Sequence, residues 1–229
     1  MPTALYRLIL SCLLLLPLAV FANDANDFAA ANNSEQAQLL ESWAAHPTPG
    51  RVELINGLQQ GQISVDGEVK TLRLNNRLRG LIDTALASHQ LLAVDPKLRL
   101  NAAQQLQKSA KPAQLKFLDQ QLAAETDSDV RSALSLALAN LQLVDPDPAV
   151  RLAAVRLLGE TGEPLARTRL ENLLQPDIET DASVRTAAET SLAQVKRKLL
   201  IGDLLGQAFS GLSLGSILLL AALGLAITF

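Results

Sequence analysis

The sequence predicts an all-α protein: a helical repeat with one small β-hairpin, followed by a single transmembrane helix. Three observations predict it. Hydrophobic residues make up 48% of the chain but aromatics only 3%, so the apolar content is mostly Leu and Ala, both strong helix formers. A short motif (Asp, two residues, an aliphatic, Arg) opens four Ala-rich stretches. No charged residue follows Asp203, and residues 204–229 as a helix measure about 39 Å, enough to cross a ~30 Å hydrocarbon core with some tilt.

The N-terminal end reads as a signal peptide over residues 1–22. Arg7 supplies a basic start, Leu8 to Phe21 an apolar run, and Val20-Phe21-Ala22 a small-residue cleavage site. The run is too short to span a bilayer comfortably. The alternatives are an uncleaved anchor or a lipoprotein signal, although Cys12, the only cysteine, precedes most of the apolar run. One cysteine excludes an internal disulfide and a cysteine zinc cluster. Cleavage after Ala22 leaves no cysteine at all, which suits an oxidising compartment. The net charge of −3 implies no basic surface for nucleic acid.

Residues 23–74 form an N-terminal segment of helices and a hairpin. Residues 23–33, small and polar, are expected to be poorly ordered. A helix starts at Ser34 with Leu39, Leu40 and Trp43 on one face, and the prolines and glycine of "HPTPG" break it. "RVELINGLQQG" is a second helix. In "QISVDGEVKTL", Ile63 and Val65 alternate with polar residues, Asp66-Gly67 makes a two-residue turn, and Val69 and Thr71 alternate on the return. An isolated hairpin is marginal in water, so it should lie against the helices.

Residues 75–200 are self-similar. "DPKLRLNAAQQL" (95–106), "DSDVRSALSLAL" (127–138), "DPAVRLAAVRLL" (147–158) and "DASVRTAAETSL" (181–192) share the motif. In the third, Asp147 is an N-cap acceptor, Pro148 sits at the first helical position, and Val150, Ala154, Leu157 and Leu158 form an apolar stripe. Second helices lie at 76–93, 112–125 and 164–175. The spacing predicts stacked helix pairs about 32 to 34 residues apart, with one irregular step of about 20 residues between the second and third stretches. The DPxxxVRxxAxxxLG pattern, closed by Gly159, resembles HEAT-like repeats. That resemblance implies a surface for protein contact.

Nothing here points to an enzyme, a cofactor or a metal. His46 and His89, the only histidines, stand far apart without ligand spacing. No nucleophile elbow, phosphate loop or dinucleotide motif occurs. Asp127, Asp129, Asp145, Asp147 and Asp181 recur with the repeat and read as helix caps and solvated turns. Lys196-Arg197-Lys198 reads either as a lipid-headgroup patch or as a charge cluster at a helix C-terminus.

Within the apolar tail, Gly211 and Gly215 are four apart, and Ala222 and Ala226 continue on nearly the same face. Such a line of small residues suits close helix–helix packing in a bilayer, which a simple anchor does not need. The segment "GQAFSGLSLGSILLLAALGLAITF" resembles the opening span of permeases of the branched-chain amino acid type of ABC transporter. Together with "TLRLNNRLRGLIDTALASHQLL" and the signal peptide, the chain is similar to the urea permease subunits of that family. The family has further spans after this point, so the resemblance implies an N-terminal fragment or truncated product ending in the first span. It also implies partners: a second permease subunit, cytoplasmic ATPase subunits, and a periplasmic binding protein delivering urea, short amides or branched-chain amino acids. The inner membrane is the implied location, with lipid around the span and residues 23 to about 200 in the periplasm. The alternative is a single-span, membrane-anchored scaffold whose repeat surface binds another protein.

Overall fold

The computed structural model describes residues 23–228, with the backbone alone at 224 and 226–228. The expected signal peptide, residues 1–22, lies outside the described residues. The described chain is all-α with one hairpin. A helix over 23–30 (α1) is followed by α2 (Asn33–Ala45), a 3-10 turn (Pro49–Arg51) and α3 (Val52–Gln59). The hairpin strands are β1 (Gln62–Val65) and β2 (Glu68–Thr71). Next come α4 (Asn76–Gln90), α5 (Pro96–Ser109), a 3-10 turn (Pro112–Gln114), α6 (Leu115–Ala124) and α7 (Ser128–Gln142). The last three are α8 (Pro148–Glu160), α9 (Pro164–Leu173) and α10 (Ala182–Thr228). Two compact units divide near residue 142.

Residues 23–30 are helical, contrary to the expected disorder. Their composition is polar, but one aromatic decides the outcome. Phe28 is fully buried and its ring centroid lies 5.7 Å from that of Trp43. Arg51 stacks 5.5 Å above the other arm of this arrangement, over Trp43, and its Nε donates to Asp24 Oδ2 at 2.6 Å. Gln36 Nε2 donates to the Phe28 carbonyl at 3.1 Å, which satisfies one of the orphan acceptors at the end of α1. A capping box then restarts the chain as α2: the Asn32 side chain accepts from Ser34 N and Glu35 N, while Glu35 accepts from Asn32 N.

The hairpin follows the sequence pattern. Gln62 pairs with Thr71 and Val65 with Glu68. Asp66 and Gly67 take φ of 52° and 84°, the positive values of a type I′ turn. Ile63 and Val65 are buried in a core with Leu40, Ile55, Leu58, Leu78 and Ile82. α4 lays one face on that core because Leu78, Leu81, Ile82, Ala85 and Leu86 recur at helical spacing.

Two of the expected helix pairs are present, α4 against α5 and α9 against α10. Matching ion pairs add a second grouping that the pairs do not show, α5-α6-α7 and then α8-α9-α10. Arg99 (α5) donates from Nε and Nη2 to both carboxylate oxygens of Glu125 at 2.7 and 2.9 Å. Its Nη1 donates to the carbonyls of Ala93 and Val94. Arg151 (α8) does the same to Glu179, also at 2.7 and 2.9 Å, and to the carbonyls of Asp145 and Pro146. Two residues after each glutamate stands the N-cap of the third helix. Asp127 accepts from Asp129 N and Val130 N, and Asp181 accepts from Ser183 N and Val184 N. Arg131 and Arg185, one turn into those helices, donate back to the carbonyls of Glu125 and Glu179. The four motif stretches therefore belong to two classes. Those at 95 and 147 open first helices, and those at 127 and 181 open third helices. The short step between the second and third stretches is the direct join from α7 to α8.

Glu125 and Glu179 keep only 7% and 2% of their side chains exposed. The Arg99 guanidinium, helped by the backbone N–H groups of Asp127 and Thr126, holds the Glu125 carboxyl down at about 2 against desolvation. Arg151 likewise lowers Glu179. Inside each set the first and third helices meet differently. α5 and α7 are joined by amides, with Gln107 Nε2 donating to the Ala133 carbonyl and Asn140 Nδ2 to the Gln107 carbonyl. α8 and α10 close on Gly159, where a Cβ would lie 2.7 Å from Ser191 Oγ.

Two predictions follow from this packing. Phe28→Ala should lower unfolding free energy by about 3 kcal/mol, the usual cost of deleting a buried aromatic. Unchanged chemical denaturation would show that 23–30 is no part of the core. Glu125→Gln should cost about 1–2 kcal/mol at pH 7, because it removes a bidentate charge-assisted pair and leaves a partly buried arginine half-paired. The Glu125 carboxyl ionises more readily folded than unfolded, so its contribution is complete above the unfolded value of 4.5 and fades as pH falls toward about 2. The wild-type protein should lose stability over that window more steeply than the Gln variant; parallel pH curves would contradict the role of the pair.

Candidate functional site

α10 is one uninterrupted helix of 47 residues, about 70 Å at 1.5 Å per residue. No proline occurs after Pro176, so nothing in this stretch removes a helix hydrogen bond. Its start is fixed by the Asp181 cap, whose carboxyl is lowered by the Ser183 hydroxyl and the N–H groups of Val184 and Ser183. Val184, Ala188, Ser191 and Val195 then form a buried stripe against α8 and α9. Among the described residues Val195 is the last buried one. From Leu200 through Leu223, every side chain is exposed.

The expected boundary between repeat and span is thus not a break in the backbone. The first half of α10 belongs to the second three-helix set and the second half carries the apolar run. Thirteen large apolar side chains between Leu200 and Leu225 are each more than half exposed. Covering them at about 2 kcal/mol each is worth roughly 25 kcal/mol, more than the 5–15 kcal/mol that typically holds a whole domain together. A surface of this size needs an apolar surrounding. The helix is long and apolar enough to cross a membrane.

Gly211, Gly215 and Ala222 lie on the exposed part of α10, and a Cβ at either glycine would meet open space. Ala226 is in the same helix, but its side chain is outside the described ones. The packing face expected from the sequence is therefore unoccupied by any part of the described chain.

The Lys196-Arg197-Lys198 cluster is placed differently from either sequence expectation. It does not end a helix, since α10 continues. Nor are all three side chains free for lipid. Lys196 Nζ lies 3.1 Å from Glu171 Oε1, and Lys198 Nζ donates to the Glu160 carbonyl at 2.6 Å. Arg167, together with Lys196, lowers the Glu171 carboxyl. These contacts tie the middle of α10 to both α8 and α9.

The residues considered for chemistry make local contacts within the fold, and the Nε2 of His89 is buried without a hydrogen-bond partner among the described residues. His46 Nδ1 lies 3.3 Å from the Ser42 carbonyl. His89 is buried with Nδ1 2.7 Å from the Ala85 carbonyl, and burial lowers its pKa. Asp127, Asp147 and Asp181 are helix caps, while Asp145 accepts from Asp147 N in the preceding turn. Among the described residues no three His, Cys, Asp or Glu side chains gather as a metal site. A groove of about 650 Å³ lies between α8 and the first half of α10. Thr186 and Thr190 on its wall donate to the carbonyls of Ala182 and Thr186 on their own helix, so their protons are already committed.

The residues that sequence reasoning missed are Glu125 and Glu179. A signal was present: "ETDSDVR" (125–131) and "ETDASVR" (179–185) are nearly the same heptapeptide.

A scan against protein-family models finds no match for this chain, and no curated protein matches it.

If α10 spans a bilayer, the protein should stay in the membrane pellet through alkaline carbonate extraction. Leu218→Lys with Leu219→Lys, at about 3 kcal/mol per charge near the centre of the span, should move a large share into the supernatant. Release of the wild-type protein by carbonate would contradict a spanning helix.

Proposed function

We propose that the chain is the N-terminal part of a permease subunit of an ABC importer, carrying urea, short amides or branched-chain amino acids across the inner membrane. Residues 23 to about 200 would lie on the periplasmic side. The observation that carries this reading is the bare apolar half of α10, continuous with a folded helical unit and bearing the Gly211, Gly215 and Ala222 line. The resemblance of that segment, and of "TLRLNNRLRGLIDTALASHQLL", to branched-chain-type permeases supplies the transport part of the reading.

The role assigned to each region follows from its physics. The span contributes one wall of a helix bundle, and its small residues let a neighbouring helix approach backbone to backbone. The three-helix sets offer rigid surface outside the membrane for a binding protein or a partner subunit. The basic cluster lies on the same side as the folded unit, where Lys196 pairs with Glu171 and Lys198 donates to the Glu160 carbonyl; counted as lysines and arginines it runs against a periplasmic placement.

The test is purification of the tagged protein from its native membrane in mild detergent. A permease subunit should bring down a second polytopic subunit and an ATPase, and cells lacking it should lose uptake of labelled urea or amino acid. Gly211→Ile with Gly215→Ile should cut the recovered partners several-fold while leaving the protein in the membrane. Recovery of soluble envelope proteins alone, with normal uptake in the deletion strain, would reject the transporter reading in favour of the single-span scaffold.

A further inference from the structure

We propose that the outer edge of β2 (Glu68–Thr71) pairs with the same strand of a second copy of this chain, giving an antiparallel four-stranded sheet with its two-fold axis at Val69. The proposal uses nothing from the transport reading. It adds a self-association surface to the first unit.

The hairpin leaves one edge open. β1 packs against α3, while β2 meets β1 and no helix to a comparable extent. All four β2 residues are exposed, Val69 to 68%. The two-residue turn makes Val65 and Glu68 a hydrogen-bonded pair. Four residues on, at the same parity, Leu72 N donates to the Gly61 carbonyl at 2.8 Å. Glu68, Lys70 and Leu72 therefore turn their backbone groups toward β1. Val69 and Thr71 turn theirs away, and among the described residues no backbone hydrogen bond reaches them from outside the hairpin. An edge of this kind is a template for another strand.

Two independent constraints choose one register. Outward backbone groups must face outward ones, so a symmetric pair places its axis on a residue rather than between two. On Glu68 or on Lys70, the axis would set like charges face to face. On Thr71, it would set Lys70 against Leu72. On Val69, Glu68 faces Lys70 of the second copy, and Lys70 faces Glu68 of the second copy. The two Val69 residues then exchange both of their backbone hydrogen bonds. Opposite charges directly across a strand pair are favourable and like charges are not. Both faces of β2 are exposed, which leaves room for the second strand.

Size sets the strength. Four residues a side bury far less than the roughly 1,200 Å² of a stable interface. The pairing is therefore weak and forms where local concentration is high, as for chains held in one membrane.

The experiment uses the full chain with Cys12→Ser in its native membrane, with a single cysteine in place of Val69 or Thr71 and a mild oxidant. Val69→Cys should crosslink to a dimer several-fold faster than Thr71→Cys. In the proposed register the two 69 positions stand about 5.5 Å apart at Cα, within disulfide reach. The two 71 positions lie four residues apart along the strands, about 14 Å. In the Val69→Cys background, Glu68→Lys should cut the dimer several-fold, and so should Lys70→Glu, because each sets like charges across the pair. The two changes together should restore it, since opposite charges face each other again. These positions are exposed, so the variants should keep the fold, which circular dichroism checks. Equal crosslinking at 69 and 71, or a double charge variant no better than either single one, overturns the proposal. So does a Val69→Cys product made with a different protein, which would give the edge to that partner.

Discussion

The continuity of α10 is the constraint on which the second unit of the protein depends. One helix carries two kinds of surface. Its first half is amphipathic at a 3.6-residue period, with Val184, Ala188, Ser191 and Val195 turned inward. Its second half is uncharged after Asp203 and rich in exposed large apolar side chains, as suits a helix surrounded by lipid. The change takes place within a few residues, between Val195 and Leu204. Lys196 and Lys198 occupy that interval, and their pairing with α9 and α8 fixes the helix to the unit just where its buried stripe ends.

The Arg–Glu pairs explain how a third helix is tied to the first in each set. A pair of helices buries one seam. The third helix here begins with an aspartate cap two residues after the glutamate that Arg99 or Arg151 grips. The same glutamate accepts from the backbone N–H that leads into the cap, Asp127 in one set and Asp181 in the other. First helix, linker and third helix are thus pinned at one point by charge-assisted bonds in a partly dry setting, where they are stronger than at the surface. Both sets keep the pin and vary the rest. Between the first and third helices, one set uses Gln107 and Asn140 while the other uses the missing side chain of Gly159. The second arrangement brings two backbones closer.

How legible these features were depended on the sequence distance over which their cause acts. The hairpin was legible because Asp66-Gly67 dictates its turn locally and residue alternation dictates the rest. The helices and their Asp caps were legible for the same reason. The order of 23–30 was not, because it rests on Phe28 meeting Trp43 and Asp24 meeting Arg51, contacts that no local propensity encodes. The further grouping of helices into threes was hidden because all four motif stretches carry the same capping chemistry. The glutamates that tell the two classes apart lie before the motif, and their arginine partners lie 26 and 28 residues away. The candidate span could be read from composition alone. Its fusion with the repeat could not, since Gly202 and Gly206 look like stops when each residue is judged singly.

Those glycines bear on how the two halves of α10 work together. Glycine in an exposed helix costs about 1 kcal/mol relative to alanine, a cost that matters little inside lipid, where an unmade backbone hydrogen bond costs several kcal/mol. Gly211 and Gly215 are therefore held helical by the bilayer, if it surrounds them. Residues before Val195 are held by packing against α8 and α9. Only the short stretch from Leu199 to Asp203 has neither support, and it contains Gly202, whose surroundings are open. Any bending of the unit relative to its span is cheapest there.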